Sequence, residues 1–341
     1  MNAVVFGTGR YYEINSTLLE RNFDILCFFD NDQIKQDTVI NNIPVLHPSR
    51  VLDFNFDVIF VMSGAFGKVI QRQLLDLGIP RQKIVLGMSI VHLSDCDLVN
   101  YVQCKIVYAE KILLACMPKS GSTYIRKAFG ALPNFKEVNF VPFYGGREQE
   151  ICEFTIHRLL SKHENCIAQQ HVRYSVATSQ VINTFDLKVI VLVRNVFDVV
   201  FSIYDHLINE SATSPMAFFP FDWNTWERER AYEFIIDMIL PWYFNFYASW
   251  MNSDIKDNII FVTYDEFMKN KFEKMNDICH DLEIDVSDFE IRLALDSLKS
   301  KKTRKNIGIL GRGNALPEVL KEKIRKMSAY YKDMDFSLIG L

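Results

Sequence analysis

The sequence predicts an α/β chain folded as two three-layer, mostly parallel-sheet units. Two observations carry that reading. Short apolar runs alternate with helix-period segments in two successive series, the pattern of parallel strands joined by helical crossovers. The length, 341 residues of which 49% are hydrophobic, suffices for about two cores. The expected units are residues 1–95 and 106–341, joined near 92–106.

In the first unit, "AVVF" reads as a short strand, followed by "GTGR" and a helix near 12–21. "DILCFFDND" is a second strand ending in acids. "DVIFVM" (57–62) is a third, leading through "SGAFG" into a helix with Val69, Ile70, Leu74 and Leu77 on one side, and "KIVLG" (83–87) closes the unit. Gly7 and Gly9 at a strand end begin a dinucleotide-fold pattern, and Asp30 stands where a ribose-binding acid would. Tyr12 holds the third glycine position, where a ring obstructs close packing or close approach. The unit resembles the Rossmann-like domains fused to sugar-modifying enzymes. Two readings stay open: a cofactor or sugar-nucleotide site, and a plain βα turn in a structural or docking domain.

The second unit opens near Lys105–Lys111 with "KILLAC", a buried strand. The loop "MPKSGST" follows, then a helix with Ile125, Ala128 and Phe129 at helical spacing. "LKVIVLV" (187–193) is another strand, continued by a helix from about 196 to 207. The apolar segment 231–250 reads as a buried helix that Pro241 kinks or breaks. "NIIFVTYDEF" (258–267) and a helix near 317–331 complete the series.

The loop carries the chemistry. A helix N-terminus offers unpaired N–H groups and partial positive charge. Gly121 lets the backbone approach an anion without a Cβ. Lys119 adds a full charge, and Ser120, Ser122 and Thr123 add hydroxyls. The Gly-Lys-Ser/Thr ending of a nucleoside-triphosphate loop is missing. In "RNVFDVVFS", Arg194 stands at a strand end, suited to a fork-like grip on phosphate, and Ser202 follows on the helix. The plainer alternatives are a capped helix start with a surface lysine, and an Arg194–Asp198 ion pair.

"PKSGSTY" and "RNVFDVVFS" resemble the 5′-phosphosulfate and 3′-phosphate motifs of sulfotransferases that use 3′-phosphoadenosine 5′-phosphosulfate (PAPS). The resemblance covers roughly 110–341 and implies a P-loop-like sulfotransferase domain of bacterial, carbohydrate type. It implies that Lys119 contacts the bridging oxygen and stabilises the leaving group. It places Ser120, Gly121, Ser122 and Thr123 around the 5′-phosphate, Tyr124 at an adenine-stacking position usually held by tryptophan, and Tyr264 near the adenine. Arg194 and Ser202 would bind the 3′-phosphate. "TRKNIGILGRGN" (303–314) is the matching late basic segment, through Arg304, Lys305, Arg312 and Gly313, although its glycines align imperfectly with the family pattern.

The family's catalytic histidine lies between the two motifs, where "IAQQHVRYS" supplies His171 as the base for the acceptor hydroxyl. His157 and His163 fall in a segment that reads as an exposed helix, and His206 as structural or at the pocket rim. Arg173 is a weaker candidate for holding an anionic acceptor. The implied reaction is in-line transfer of SO₃ from PAPS to a hydroxyl, needing no metal. The aromatic stretch "FFPFDWNTW" (218–226) could stack on sugars or simply pack a core or lid. The expected acceptor is a carbohydrate, such as a surface polysaccharide or glycolipid precursor. A non-catalytic nucleotide-binding module and a P-loop phosphotransferase are the rival readings.

Net charge of −4 advertises no nucleic-acid partner. The seven cysteines include no CxxC, which fits buried free thiols in a reducing compartment rather than zinc or disulfides. No basic-then-apolar leader opens the chain and no apolar run spans a bilayer. The expected location is cytoplasmic, with peripheral membrane contact left open.

Overall fold

A computed structural model describes residues 1–91, 93–106, 109–142, 150–160, 164–210, 217–256, 259–299 and 310–341. The chain divides into two compact units, Met1–Ala109 with His157–His163, and Glu110–Ile156 with Glu164–Leu341. The α/β class expected from the sequence is the class observed.

The first unit runs β1 (Asn2–Phe6), α1 (Arg10–Asn22), β2 (Asp24–Phe29), β3 (Val39–Ile40), β4 (Ile43–Leu46), β5 (Val58–Val61), α2 (Gly67–Asp76), β6 (Ile84–Leu86) and α3 (Asp95–Ile106). Its sheet has the order β3-β4-β2-β1-β5-β6, parallel except for the β3–β4 pair. The short β3–β4 hairpin went unrecognised in the sequence, because two residues per arm give no period to detect. One sheet face packs Val4, Phe6, Cys27, Phe29, Ile59 and Val61 against Ile70 and Leu74 of α2. On the other face, Phe28 meets Tyr12 and Phe60 meets Phe23, both edge-on. Val69 does not join the buried side of α2. It is 65% exposed, because the stripe is carried by Ile70 and Leu74, four residues apart.

The second unit contains β7 (Lys111–Cys116), α4 (Ser122–Gly130), β8 (Phe135–Val138), the start of α5 (Glu153–Leu160, belonging to the first unit from His157), β9 (Asn165–Gln170), α6 (Val176–Phe185), β10 (Lys188–Val193) and α7 (Val196–Asn209). Then come α8 (Arg228–Met238), α9 (Leu240–Met251), β11 (Ile259–Thr263), α10 (Tyr264–Lys269), α11 (Lys271–Asp281), α12 (Asp288–Ser297) and α13 (Glu318–Ser328). Its five strands are all parallel, in the order β11-β10-β7-β9-β8. All six residues of β7 are buried, as expected of a strand covered on both faces. One face packs Ile112, Leu114, Cys116, Ile190 and Leu192 against Ile125, Ala128 and Phe129 of α4 and residues of α10, α11 and α12.

Pro241 does end the apolar segment's first helix. α8 stops at Met238 and α9 starts at Leu240 with the proline in its first turn, where a missing N–H is tolerated. Among the described residues, no helix is long and apolar enough to cross a membrane. The thiols are not uniformly buried: Cys27, Cys116, Cys166 and Cys279 are, while Cys96 is exposed on the polar side of α3. Cys104 lies outside the residues whose side chains are described.

Candidate active site

In the second unit the loop after β7, the segment after β9 and the segment after β10 stand side by side, because β10, β7 and β9 are neighbours. Parallel order puts all three at the carboxyl edge, the ordinary ligand crevice of an open α/β sheet. They bring together the sequence-nominated Lys119, His171 and Arg194.

The loop's carbonyls are occupied one after another. His171 Nδ1 lies 2.8 Å from the Cys116 carbonyl oxygen. Ser120 Oγ donates to the Met117 carbonyl at 2.5 Å. Tyr243 Oη donates to the Pro118 carbonyl at 2.8 Å. Arg194 Nη1 donates to the Lys119 carbonyl at 2.8 Å. Four consecutive acceptors are thereby paired by side chains from four different places in the chain. The N–H groups of Ser122 and Thr123, at the start of α4, meet no acceptor among the described residues. The result is a strand–loop–helix whose negative ends are tied back and whose positive end stays open.

The loop backbone is strained at Lys119, with φ +62°, and left-handed again at Gly121, with φ +78°. A non-glycine residue in that region persists only where its surroundings hold it. The clasp by Tyr243 and Arg194 provides this. Gly121 is required for a reason the sequence did not reveal. A Cβ there would sit 2.5 Å from the Tyr264 ring, so the demand comes from a protein neighbour as well as from any ligand.

Tyr264, first residue of α10, also lies under Arg194, whose guanidinium carbon is 4.3 Å from the ring centroid. Arg194 is 7% exposed, and its Nη2 is 3.8 Å from Asp198 Oδ2. Its Nε is buried with no hydrogen-bond partner among the described residues. The Asp198 ion pair weighed from the sequence therefore exists, alongside the loop contact. Ser202 is buried two turns further along α7.

The His171 contact fixes a tautomer. A carbonyl only accepts, so Nδ1 carries the proton and the neutral ring keeps its lone pair on Nε2. The nearby Cys116 thiol, 3.4 Å from Nδ1, is pushed up to about 12 by burial, so it stays protonated. Burial likewise holds Tyr243 well above the ordinary phenol value, keeping it a donor.

Lys119 Nζ lies 3.9 Å from Glu210 Oε1, and the other Glu210 oxygen is 2.9 Å from His206 Nδ1. Tyr124 is half-buried, edge-on to Phe267 at 6.1 Å, with Lys271 Nζ 5.8 Å from its ring. Arg312 pairs with Asp205 and lies over Phe201, while Gly313 donates its N–H to Asp198 at 2.6 Å. Arg304, Lys305 and His163 lie outside the described residues, as does the His157 side chain. Arg173 is exposed. The aromatic stretch is divided: Phe219 and Trp223 pack with Tyr204 and Phe234, whereas Phe218 and Phe221 are exposed. Tyr243 was missed from the sequence. Its signal was a tyrosine hydroxyl inside a largely apolar helix, which must find a partner when buried.

A family model described as sulfotransferase domain matches residues 109–327, more than half of the chain. The chain belongs to the sulfotransferase family. A second family model, "C2185-like, N-terminal", matches residues 1–85. Among solved structures, mouse sulfotransferase SULT7A1 complexed with PAP shares 18% identity over 66% of this chain and 85% of that one, at a TM-score of 0.51. At that identity the likeness bears on the fold. Sulfotransferase STF1 from Mycobacterium tuberculosis H37Rv is 12% identical over 77% of this chain and 93% of its own, at a TM-score of 0.41. Comparison with curated proteins found no match.

In the first unit, the acid that suggested a nucleotide site is already engaged. Asp30 Oδ2 accepts from the Thr8 N–H at 2.9 Å and the Thr8 hydroxyl at 2.6 Å, and Lys35 Nζ is 3.4 Å away. The ring of Tyr12 does not block the loop. It turns into the core against Phe28 and donates its hydroxyl to Glu20.

Proposed function

We propose that this sulfotransferase-family chain moves a sulfuryl group from PAPS to an acceptor hydroxyl. The observation that carries this reading is the loop of residues 116–121: every carbonyl from Cys116 to Lys119 is tied back, while the N–H groups of Ser122 and Thr123 that follow meet no acceptor among the described residues. Such an end suits the 5′-phosphate, through the N–H groups of Ser122 and Thr123. Ser120 acts as an internal brace, since its hydroxyl is taken by Met117. Arg194 and Ser202 take the 3′-phosphate, with the unpartnered Nε of Arg194 as one available donor. Tyr124 and Tyr264 line the adenine. PAPS is also the natural donor by analogy with the mouse relative, which was crystallised with PAP.

In the reaction, His171 Nε2 takes the proton as the acceptor oxygen bonds to sulfur. The bond from sulfur to the bridging oxygen breaks, and PAP leaves with that oxygen's charge stabilised by Lys119. Alignment of nucleophile, sulfur and leaving oxygen supplies much of the acceleration.

The acceptor is proposed to be a carbohydrate, such as a surface polysaccharide or glycolipid precursor modified in the cytoplasm. The support is the fused N-terminal Rossmann-like unit, by fold-level analogy, and the exposed Phe218 and Phe221, which could stack on sugar faces. The two units are proposed to act as residues 1–95 and 106–341. Labelled PAPS incubated with glycans, glycolipids and phenols tests the reading. Label on a glycan or glycolipid supports it, label on phenols alone replaces the acceptor class, and PAPS binding without any transfer points to a non-catalytic module.

A further inference from the structure

Asp198 is the most deeply buried carboxylate of the α7 region, at 1% exposure, and stands in the first turn of that helix. A buried carboxylate needs partners for both oxygens. Its Oδ1 accepts from the Gly313 N–H at 2.6 Å, its Oδ2 from the Gly311 N–H at 2.9 Å, and Arg194 Nη2 lies 3.8 Å from Oδ2. The helix N-terminus beneath it favours negative charge.

The glycines it holds are chosen for contact. Gly311 has φ +75°. A Cβ on Gly313 would lie 2.3 Å from Phe197 Cβ and 2.9 Å from the Asp198 nitrogen, so this backbone lies flush on α7. Between the glycines, Arg312 reaches along the same helix to Asp205 and Phe201. Asp198 and Ser202 are four residues apart on one side of α7, and Arg194 stands just before the helix's N-cap, Asn195. Asp198 thus stands between the two groups assigned to the 3′-phosphate and binds a third piece of backbone to that side.

We propose that Asp198 is a positioning residue for the 3′-phosphate subsite, orienting Arg194 and docking the Gly311–Gly313 backbone beside Ser202. The proposal rests on the reading of Arg194 and Ser202 as 3′-phosphate ligands. It assigns Arg312 a different part from direct phosphate contact. Its guanidinium anchors the segment through Asp205, and the glycine backbone forms the wall.

The test compares two nucleotides on the full-length chain by calorimetry: adenosine 3′,5′-bisphosphate and adenosine 5′-monophosphate, which lacks the 3′-phosphate. The unsubstituted chain should prefer the bisphosphate. Asp198→Asn should lose about 10-fold or more of its bisphosphate affinity and less than about 3-fold for the monophosphate, the scale of one charge-assisted contact. Gly313→Ala, which leaves the carboxylate in place but lifts the segment off Phe197, should narrow the preference in the same direction, and it is the readout if Asp198→Asn does not fold. Equal losses for both nucleotides would mark Asp198 as a general fold stabiliser and overturn the proposal, as would an unchanged preference. A parent chain with no preference for the bisphosphate would instead overturn the 3′-phosphate reading itself, and this proposal with it.

Discussion

The two units each place a glycine-containing loop after their first strand, and each braces it with a charged residue from a neighbouring strand end. The braces have opposite sign. In the first unit Asp30, just past β2, accepts from the N–H and hydroxyl of Thr8. In the second, Arg194, just past β10, donates to the carbonyl of Lys119. The carboxylate brace takes two donors, the Thr8 N–H and hydroxyl, that an anion could otherwise use. A guanidinium brace uses acceptors and leaves the donors available. Similar strand–loop–helix geometry therefore has donors tied back in one unit and acceptors tied back in the other.

The largest expected effect lies at the cradle's chemistry. His171→Ala should lower turnover by about 10²–10⁴-fold with donor affinity little changed, if the ring is the base. Loss of PAPS binding instead would make His171 a ligand contact or a structural residue, read by calorimetry alongside the rate. Lys119→Ala should lower turnover by roughly 10²-fold or more, as expected for a lost charge-stabilising donor. Unchanged turnover would remove Lys119 from the mechanism.

Next comes the clasp itself. Tyr243→Phe deletes only the hydroxyl that pairs the Pro118 carbonyl. Leaving that buried acceptor unpaired should cost about 1–3 kcal/mol, read in thermal or denaturant unfolding, with weaker PAP binding. Full retention of both would show that the clasp is not what holds the strained loop.

The same comparison is sharpened from the other side. Burial alone would raise the Asp30 pKa, but Thr8, the Asp32 N–H and Lys35 together bring it below the ordinary carboxylate value. A depressed folded pKa gives stability that is fully present above the unfolded value near about 4 and lost as pH falls through the folded one. The first unit should therefore weaken on acidification below about pH 4, and Asp30→Asn should remove that dependence while costing about 1–3 kcal/mol at neutral pH. An acid response identical in the variant would show that the brace is not the titrating element. The smallest effect is expected at Gly9, where an added Cβ meets only Lys35 Nζ at 3.8 Å. Gly9→Ala should cost less than about 1 kcal/mol, as a helix-cap change, and leave sulfuryl transfer unaltered. A large loss would revive a ligand role for that loop.

Much of this was legible in the sequence. β7 and β10 are buried on both faces and, like the partly buried edge strand β11, read as apolar runs, and the Arg194-to-Ser202 spacing located the second motif. β8 and β9 were harder: "FKEV" and "NCIAQQ" mix polar residues into short strands, so they carry no clean period. The partners of the loop were out of reach for a different reason. That Tyr243 would cap Pro118, or that Tyr264 would demand glycine at 121, depends on contacts between residues more than 100 positions apart. The contacts of Arg312 and Gly313 were equally out of reach. Their positions are set by docking to Asp198 and Asp205, which no local pattern reports.

The contrast between the loops is tested most directly by a crystal structure of the full-length chain with adenosine 3′,5′-bisphosphate. The expected result is one nucleotide, its 5′-phosphate on the N–H groups of Ser122 and Thr123 and its 3′-phosphate on Arg194 and Ser202. A nucleotide seated instead on the Gly7–Gly9 turn, with Asp30 released from Thr8, would contradict it.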